Sequence, residues 1–254
     1  MKRTTSTSEI NNDNYYNDIT HVTNSMLGYL KESPLHLYHY LKKSLVKQSD
    51  ALSFGNFYDE YLLEPDVFKH KYAIMPDKMR RGTKAYTEWL TDHPKDIQTI
   101  RGNDFKTIEY MANALHGNKD IFEMLRIGEK QKILQWEIDG VKCKGKLDNY
   151  IPGEAIVDLK TAKEANIDYW RSVVKYNYHY DRQASYYQNG EGNNLDFFWV
   201  VQEKKYPYIP MLVKASNDTL YEGYEKWREL LKLYKQLFVE QNFNPQEYVN
   251  YYEL

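Results

Sequence analysis

The sequence predicts a mixed α/β domain with helices toward its N-terminal end, a β-sheet near the middle, and further helices packed on that sheet. Three observations carry the prediction. Apolar residues recur at helical spacing between residues 22 and 63, strict alternation around a two-residue turn signal runs over 132–162, and an apolar helical stripe joins Leu220 to Phe238.

Residues 1–20 are polar, rich in Asn, Ser and Thr, and lack hydrophobic periodicity, so they are expected to form a flexible arm ahead of a single domain over 21–254. Thr23 or Asn24 can cap a short helix carrying Met26, Leu27 and Leu30, and Ser33-Pro34 opens a second with Leu37, Tyr38 and Leu41 on one face. Phe54, Phe57, Tyr58, Tyr61 and Leu62 predict a third helix, which Pro65 ends. Residues 76–127 read as polar and mostly helical, with no sharp strand.

The pattern then changes. In KILQWEIDGVKCKGKLDNYIPGEAIVDLKTA, Asp139-Gly140 is a strong hairpin turn. Along the second strand Val141, Cys143 and Leu147 face one way, and Lys142, Lys144, Lys146 and Asp148 the other. Ile156, Asp158 and Lys160 share a face of the third. Helices over 166–190, strands at LDFFWVVQEKK and YIPMLVKAS, and a long covering helix complete the pattern.

Composition narrows the function classes. A net charge of −2 excludes a generally basic nucleic-acid coat but allows a local basic groove. The single cysteine, Cys143, excludes an intramolecular disulfide framework and a cysteine-cluster metal site, in keeping with a reducing cytoplasm. No stretch approaches the ~18 apolar residues of a membrane span, and none resembles a signal peptide, so a soluble cytoplasmic protein with no membrane partner is expected. The 25 tyrosines suit half-buried surfaces, interfaces or stacking on bases.

The chemistry concentrates at Asp148, Asp158 and Lys160. A strand reading A-I-V-D-L-K-T places two charges where Val or Ile would pack better, and buried charge needs compensation. If Ile151 to Ala155 close through a three-residue loop, Asp148 lies opposite Asp158, with Cβ atoms about 5 Å apart. Two such carboxylates repel unless a cation sits between them, and oxygen-only ligation suits Mg²⁺ or Mn²⁺ rather than zinc. Lys160, beside that position, could orient or help deprotonate a water and stabilise charge on a phosphodiester. The same spacing also fits a surface hairpin whose Asp158–Lys160 pair is a solvated salt bridge contributing ~0–1 kcal/mol. His36, His39 and His179 sit among tyrosines on helical faces and are assigned no role.

Five ordered motifs resemble the PD-(D/E)XK nuclease superfamily and, within it, the RecE-type exonucleases of phages and prophages. SFGNFYDEYLLEP resembles that family's Gly-x-x-x-His-x-x-Leu-Leu-Glu-Pro helix, KGKLD its basic-Gly-basic-x-Asp strand, and DLKTA its Asp-x-Lys-Thr. QASYY resembles its Gln-x-x-x-Tyr motif, and FFWVVQEKKYPY its late strand. The resemblance spans roughly residues 22–240 and implies a mixed central sheet flanked by helices, with an N-terminal helical region.

Carried over residue by residue, it implies that Asp148 and Asp158 ligate Mg²⁺ (or Mn²⁺), with the Leu159 carbonyl as a further ligand, and that Lys160 is the catalytic lysine. Gln183 and Tyr187 would order the site or contact the DNA backbone. Asp59 stands where the family has His; it can ligate or bridge a metal, or only cap or salt-bridge on its helix. The implied activity is 5′ to 3′ digestion of one strand at a linear double-stranded DNA end, leaving a 3′ single-stranded tail for a phage annealing protein in a bacterial host cell. A homo-oligomeric ring of three or four subunits is implied by the same analogy. Arg80, Arg81, Lys42 and Lys43 are candidate backbone contacts. A PD-(D/E)XK endonuclease and a catalytically inactive DNA-end-binding protein remain the alternatives.

Overall fold

The computed structural model describes residues 10–12, 14–45, 50–192 and 195–249. Helices α1 (Asn24–Glu32) and α2 (Pro34–Leu41) start at hydroxyl caps. The Met26 amide donates to Thr23 Oγ1 at 3.1 Å and the His36 amide to Ser33 Oγ at 3.2 Å, while Pro34 occupies a first-turn position that needs no amide. Met26, Leu27, Leu30 and Leu37 are buried. Helix α3 (Asp50–Leu63) carries the expected aromatic stripe, and Pro65 opens α4 (Pro65–Lys71).

The following region holds more than helices. With α5 (Lys84–Leu90), α6 (Gly102–His116) and α7 (Lys119–Arg126) come β1 (Tyr72–Ile74) and β2 (Gln98–Ile100), which pair in parallel as a separate small sheet. Strands of three residues are too short to display alternation, so the sequence conceals them. Arg81, considered above as a DNA-backbone contact, is engaged with the Thr99 hydroxyl and carbonyl of β2, and Lys43 Nζ donates to Asn17 Oδ1 at 3.0 Å.

The main sheet contains β3 (Glu129–Ile138), β4 (Val141–Ile151), β5 (Ala155–Ala162), β6 (Asp196–Glu203) and β7 (Pro210–Lys214), side by side in that order. All neighbours are antiparallel except β5 and β6. Their parallel pairing requires a crossover, and α8 (Ile167–Ser172), a π-turn over Val173–Asn177 and α9 (Tyr180–Gly190) supply it. Asp139 and Gly140 adopt φ of +52° and +80°, the conformation of the tight turn expected between β3 and β4.

Apolar layers cover both sheet faces. Trp170 and Ala184 pack with Leu147, Ile156 and Trp199 on one face, and Tyr58, Met111 and Leu125 pack with Val157, Leu159 and Val200 on the other. The last helix, α10 (Asn217–Tyr234), buries Trp227 and Leu231 against Leu27, Cys143 and Tyr186. This is the mixed sheet flanked by helices, with N-terminal helices, that the sequence predicts. Among the described residues no helix is long and apolar enough to cross a membrane.

The expectation of a flexible arm is corrected in its described part: Ile10 and Tyr15 are buried, and just beyond the arm Val22 forms a parallel bridge with Cys143. Residues 1–9 and Asp13 lie outside the described residues. Lys144 lies beneath this arm, where its ammonium donates to the carbonyls of Tyr15 and Asp18 at 2.5 and 2.8 Å and to Asp18 Oδ2 at 2.9 Å. A buried ammonium must be paired, and the arm provides three oxygens.

Candidate active site

The β4–β5 register pairs Asn149 with Val157, Tyr150 with Ile156 and Ile151 with Ala155. The loop is therefore Pro152-Gly153-Glu154, the odd length required to bring Asp148 toward Asp158, and Gly153 takes the positive φ of +74° that glycine tolerates. The ladder ends at Asn149. From there the Leu159 amide donates to Asp148 Oδ2 at 2.9 Å, so a carboxylate replaces a strand carbonyl as its acceptor. On the other side, β3–β4 pairing skips Gln131, which the register places opposite Asp148 and which has φ +54°. Both ladders lapse at Asp148, a local break of the kind that re-aims a side chain beside a functional site.

Asp158 is buried and forms an ion pair with Lys160, a contact without hydrogen-bond alignment at Oδ2. Burial pushes its carboxyl up to about 7, with Asp148 adding to the shift and Lys160 opposing it. Asp59, reaching in from α3, is raised well above the usual carboxylate range by burial and then by Asp148, with Lys160 again opposing. Burial alone would weaken the charge on Lys160, but Asp158 and Asp148 more than offset it and hold the ammonium protonated. The structure thus brings Asp59, Asp148, Asp158 and Lys160 into one electrostatic unit. The Asp158–Lys160 pair is not a solvated surface pair, since the two side chains are only 3% and 16% exposed.

Gln183 and Tyr187 lie one turn apart on α9, with Gln183 Nε2 donating to the Tyr187 hydroxyl at 3.4 Å. Burial pushes the Tyr187 phenol up; Gln183 opposes this, and Asp158 and Asp148 reinforce it. The ring lies directly over Gly145, where a Cβ would sit 2.8 Å from its Cδ1 and Cε1 atoms. Gly145 is therefore required so that Tyr187 can approach the strand. Sequence reasoning missed Tyr180, whose ring centroid is 5.1 Å from Lys160 Nζ. Only its place three residues before Gln183 hinted at a shared helix face.

Asp59, Leu159, Lys160, Tyr180 and Gln183 line a cleft of about 540 Å³, whereas Asp148, Asp158 and Tyr187 lie outside its lining. A larger groove of about 1050 Å³ lies between the β3–β4 turn and α10, away from the carboxylates, and is lined by residues such as Asp139, Arg228 and Lys235. Its ion pair between Arg228 and Asp139 is an ordinary surface pair, so volume does not locate the chemistry.

The residues present fit a hard divalent cation in donor chemistry. Asp59 Oδ1 is buried without a hydrogen-bond partner, Asp158 Oδ2 has only the Lys160 ammonium against it, and every candidate donor is an oxygen. The set is not closed: among the described residues, no three or more His, Cys, Asp or Glu side chains are gathered in a metal-holding group. The Leu159 carbonyl is 3.5 Å from Lys160 Nζ, which leaves it weakly engaged.

Residues 23–251 match the family described as a PDDEXK-like domain of unknown function (DUF3799). The chain belongs to this family. The PDDEXK-like chain is also similar in fold to a crystal structure from Eubacterium rectale that bears the name "Putative exonuclease". That likeness has a TM-score of 0.67 at 18% identity and covers 97% of this chain and 96% of that one. No curated protein matches the chain significantly. At such identity the likeness establishes the fold, and the PDDEXK-like site has to be argued from its own residues.

Proposed function

We propose that the protein is a metal-dependent deoxyribonuclease that hydrolyses one strand of linear double-stranded DNA from its end. The observation that carries the reading is the convergence of Asp59, Asp148, Asp158 and Lys160 where β4 and β5 part, within a PDDEXK-like domain. Three carboxylates, of which Asp158 is fully buried, face one ammonium, and when ionised they carry negative charge that a divalent cation can balance. Asp59, Asp148, Asp158 and the Leu159 carbonyl would hold Mg²⁺ or Mn²⁺, and such a cation supplies Lewis acidity toward a phosphodiester oxygen.

The chain's own groups do the rest. Lys160, kept as an ammonium, stabilises negative charge developing on the scissile phosphate and orients the attacking water by hydrogen bonding. Gln183 would contact the DNA strand from the cleft wall, with Tyr187 behind it as its hydrogen-bond partner.

The finer reading rests on the resemblance of the five motifs to RecE-type exonucleases. It comprises 5′ to 3′ polarity, a 3′ single-stranded product handed to a single-strand-annealing protein, and a homo-oligomeric ring that encircles DNA. A ring would explain retention on DNA by a chain of net charge −2, since topology replaces part of the phosphate attraction.

The test is Mg²⁺-dependent release of label from linear duplex DNA marked at either end, beside closed circular DNA and Lys160→Ala. Loss of 5′ label from linear DNA alone, abolished in the variant, is the expected result. Cutting of circles would move the protein to the endonuclease class. No release with Mg²⁺ or Mn²⁺ from folded protein would leave only DNA-end binding.

A further inference from the structure

The cleft continues outward from Lys160 along the junction between the π-turn and α9. At that junction His179 takes φ +53° and ψ +48°, a left-handed conformation uncommon for a residue with a side chain. The residues on either side of it, Tyr178 and Tyr180, are stacked, with ring centroids 5.5 Å apart and planes 22° from parallel. Tyr180 is backed by Trp170 at 5.4 Å and faces the Lys160 ammonium. A continuous column thus runs from the candidate catalytic lysine through Tyr180 to Tyr178, a residue 63% exposed. Lys163 and Lys204 line the same cleft.

Neither hydrolysis nor folding requires that outer ring. An exposed tyrosine set on an aromatic support, with two lysines in the same cleft, matches the combination that binds unpaired nucleic acid: a ring face for a base and ammonium groups for the flanking phosphates. A base still in duplex has both faces covered by its neighbours and cannot use such a platform.

Resting on the nuclease reading above, we propose that Tyr178, supported by Tyr180, is a base-stacking subsite that receives an unpaired nucleotide of the scissile strand, with Lys163 and Lys204 holding its phosphates. The strand reaches Lys160 already peeled from its complement, and substrate selection acts on unpaired DNA at the end.

The test measures binding in EDTA and again in Ca²⁺, using duplexes with either a blunt end or a three-nucleotide frayed end carrying 2-aminopurine. Wild-type protein is expected to favour the frayed end and to quench the 2-aminopurine. Tyr178→Ala is expected to weaken frayed-end binding by about 5- to 100-fold and to lose the quenching, a range typical of removing one base–aromatic stack. Tyr178→Phe, which retains the ring, is expected to behave as wild type, as is Tyr221→Ala, a comparably exposed tyrosine on α10 outside this cleft. Unchanged binding and quenching in a Tyr178→Ala protein that melts like wild type would overturn the stacking subsite and leave the nuclease reading intact. Failure of wild-type protein to bind either duplex would overturn both.

Discussion

The amide of Leu159 donates to Asp148 Oδ2 at 2.9 Å, across the point where β4 and β5 cease to pair. One carboxylate therefore has two functions: it satisfies a buried strand amide and it contributes charge to the cleft. The two can be separated by substitution. Asp148→Asn keeps an oxygen acceptor and removes the charge, so it should fold with near wild-type stability yet lose at least about 100-fold in hydrolysis, the scale of removing one electrostatic stabiliser. Asp148→Ala also orphans the Leu159 amide and should cost a further ~1–3 kcal/mol of stability. Urea unfolding beside a nuclease assay distinguishes them; equal destabilisation by both variants would refute the bridging role.

Asp158 makes cation binding pH-dependent. Its carboxyl is pushed up to about 7 by burial and by Asp148, against the pull of Lys160. A folded pKa above the unfolded value of ~3.9 means that this group's stabilising contribution is complete below the unfolded value and is lost as pH rises through about 7. A cation that needs the ionised form must displace the proton below that pH. Titration calorimetry with Mg²⁺, in two buffers of different ionisation enthalpy, should report proton release at pH 6 that is larger than the release at pH 8.5. Absence of release at pH 6 would remove Asp158 from the ligand set.

Asp59 carries the same argument into stability. Its carboxyl is raised by burial and by Asp148, and its Oδ1 has no hydrogen-bond partner. Asp59→Asn removes the ionisation that these surroundings oppose. Without metal, the variant should melt higher than wild type at pH 8, by roughly 2–4 °C for each kcal/mol relieved in a chain of this size. The gain should shrink on acidification, as the wild-type carboxyl takes up its own proton. The same substitution should weaken Mg²⁺ binding at least about tenfold, a trade of stability for function characteristic of active sites. Lower melting at pH 8 would show that Asp59 is a structural partner instead.

Much of this arrangement was legible in the sequence because it is local. The Asp139-Gly140 turn, the three-residue loop at Gly153 and the period-two faces of β5 are all set within a few residues, and together they bring Asp148 toward Asp158. What escaped depends on distant segments. Alternation placed Lys144 with Asp148, but no pattern along β4 reports that the arm residues Tyr15 and Asp18 return to cover it. The ladder break opposite Gln131 likewise has no marker, since Gln is an ordinary strand residue whose positive φ is imposed by its surroundings. Spacing could not bring Asp59 to the sheet either; only the motif resemblance suggested it, and packing of α3 beneath β5 delivers it.

Gly145 offers the sharpest test of how α9 positions the site. A Cβ there would stand 2.8 Å from the Tyr187 ring, closer than side chains pack, so Gly145→Ala must push the ring away from β4. Overpacking of this kind typically costs about 1–3 kcal/mol, and the displaced ring would carry Gln183 and the wall beside Asp158 with it. Tyr187→Phe, in contrast, removes only a hydroxyl whose link to Gln183 is long at 3.4 Å, and should cost less than about 1 kcal/mol and little activity. In the double variant Gly145→Ala, Tyr187→Ala the clash is gone, so its destabilisation should be less than the sum of those of the two single alanine variants, without restored hydrolysis. Thermal melts and nuclease assays on these proteins decide the matter. If Tyr187→Phe is as damaged as Gly145→Ala, the phenol hydroxyl rather than the ring's seat on the glycine sustains the cleft.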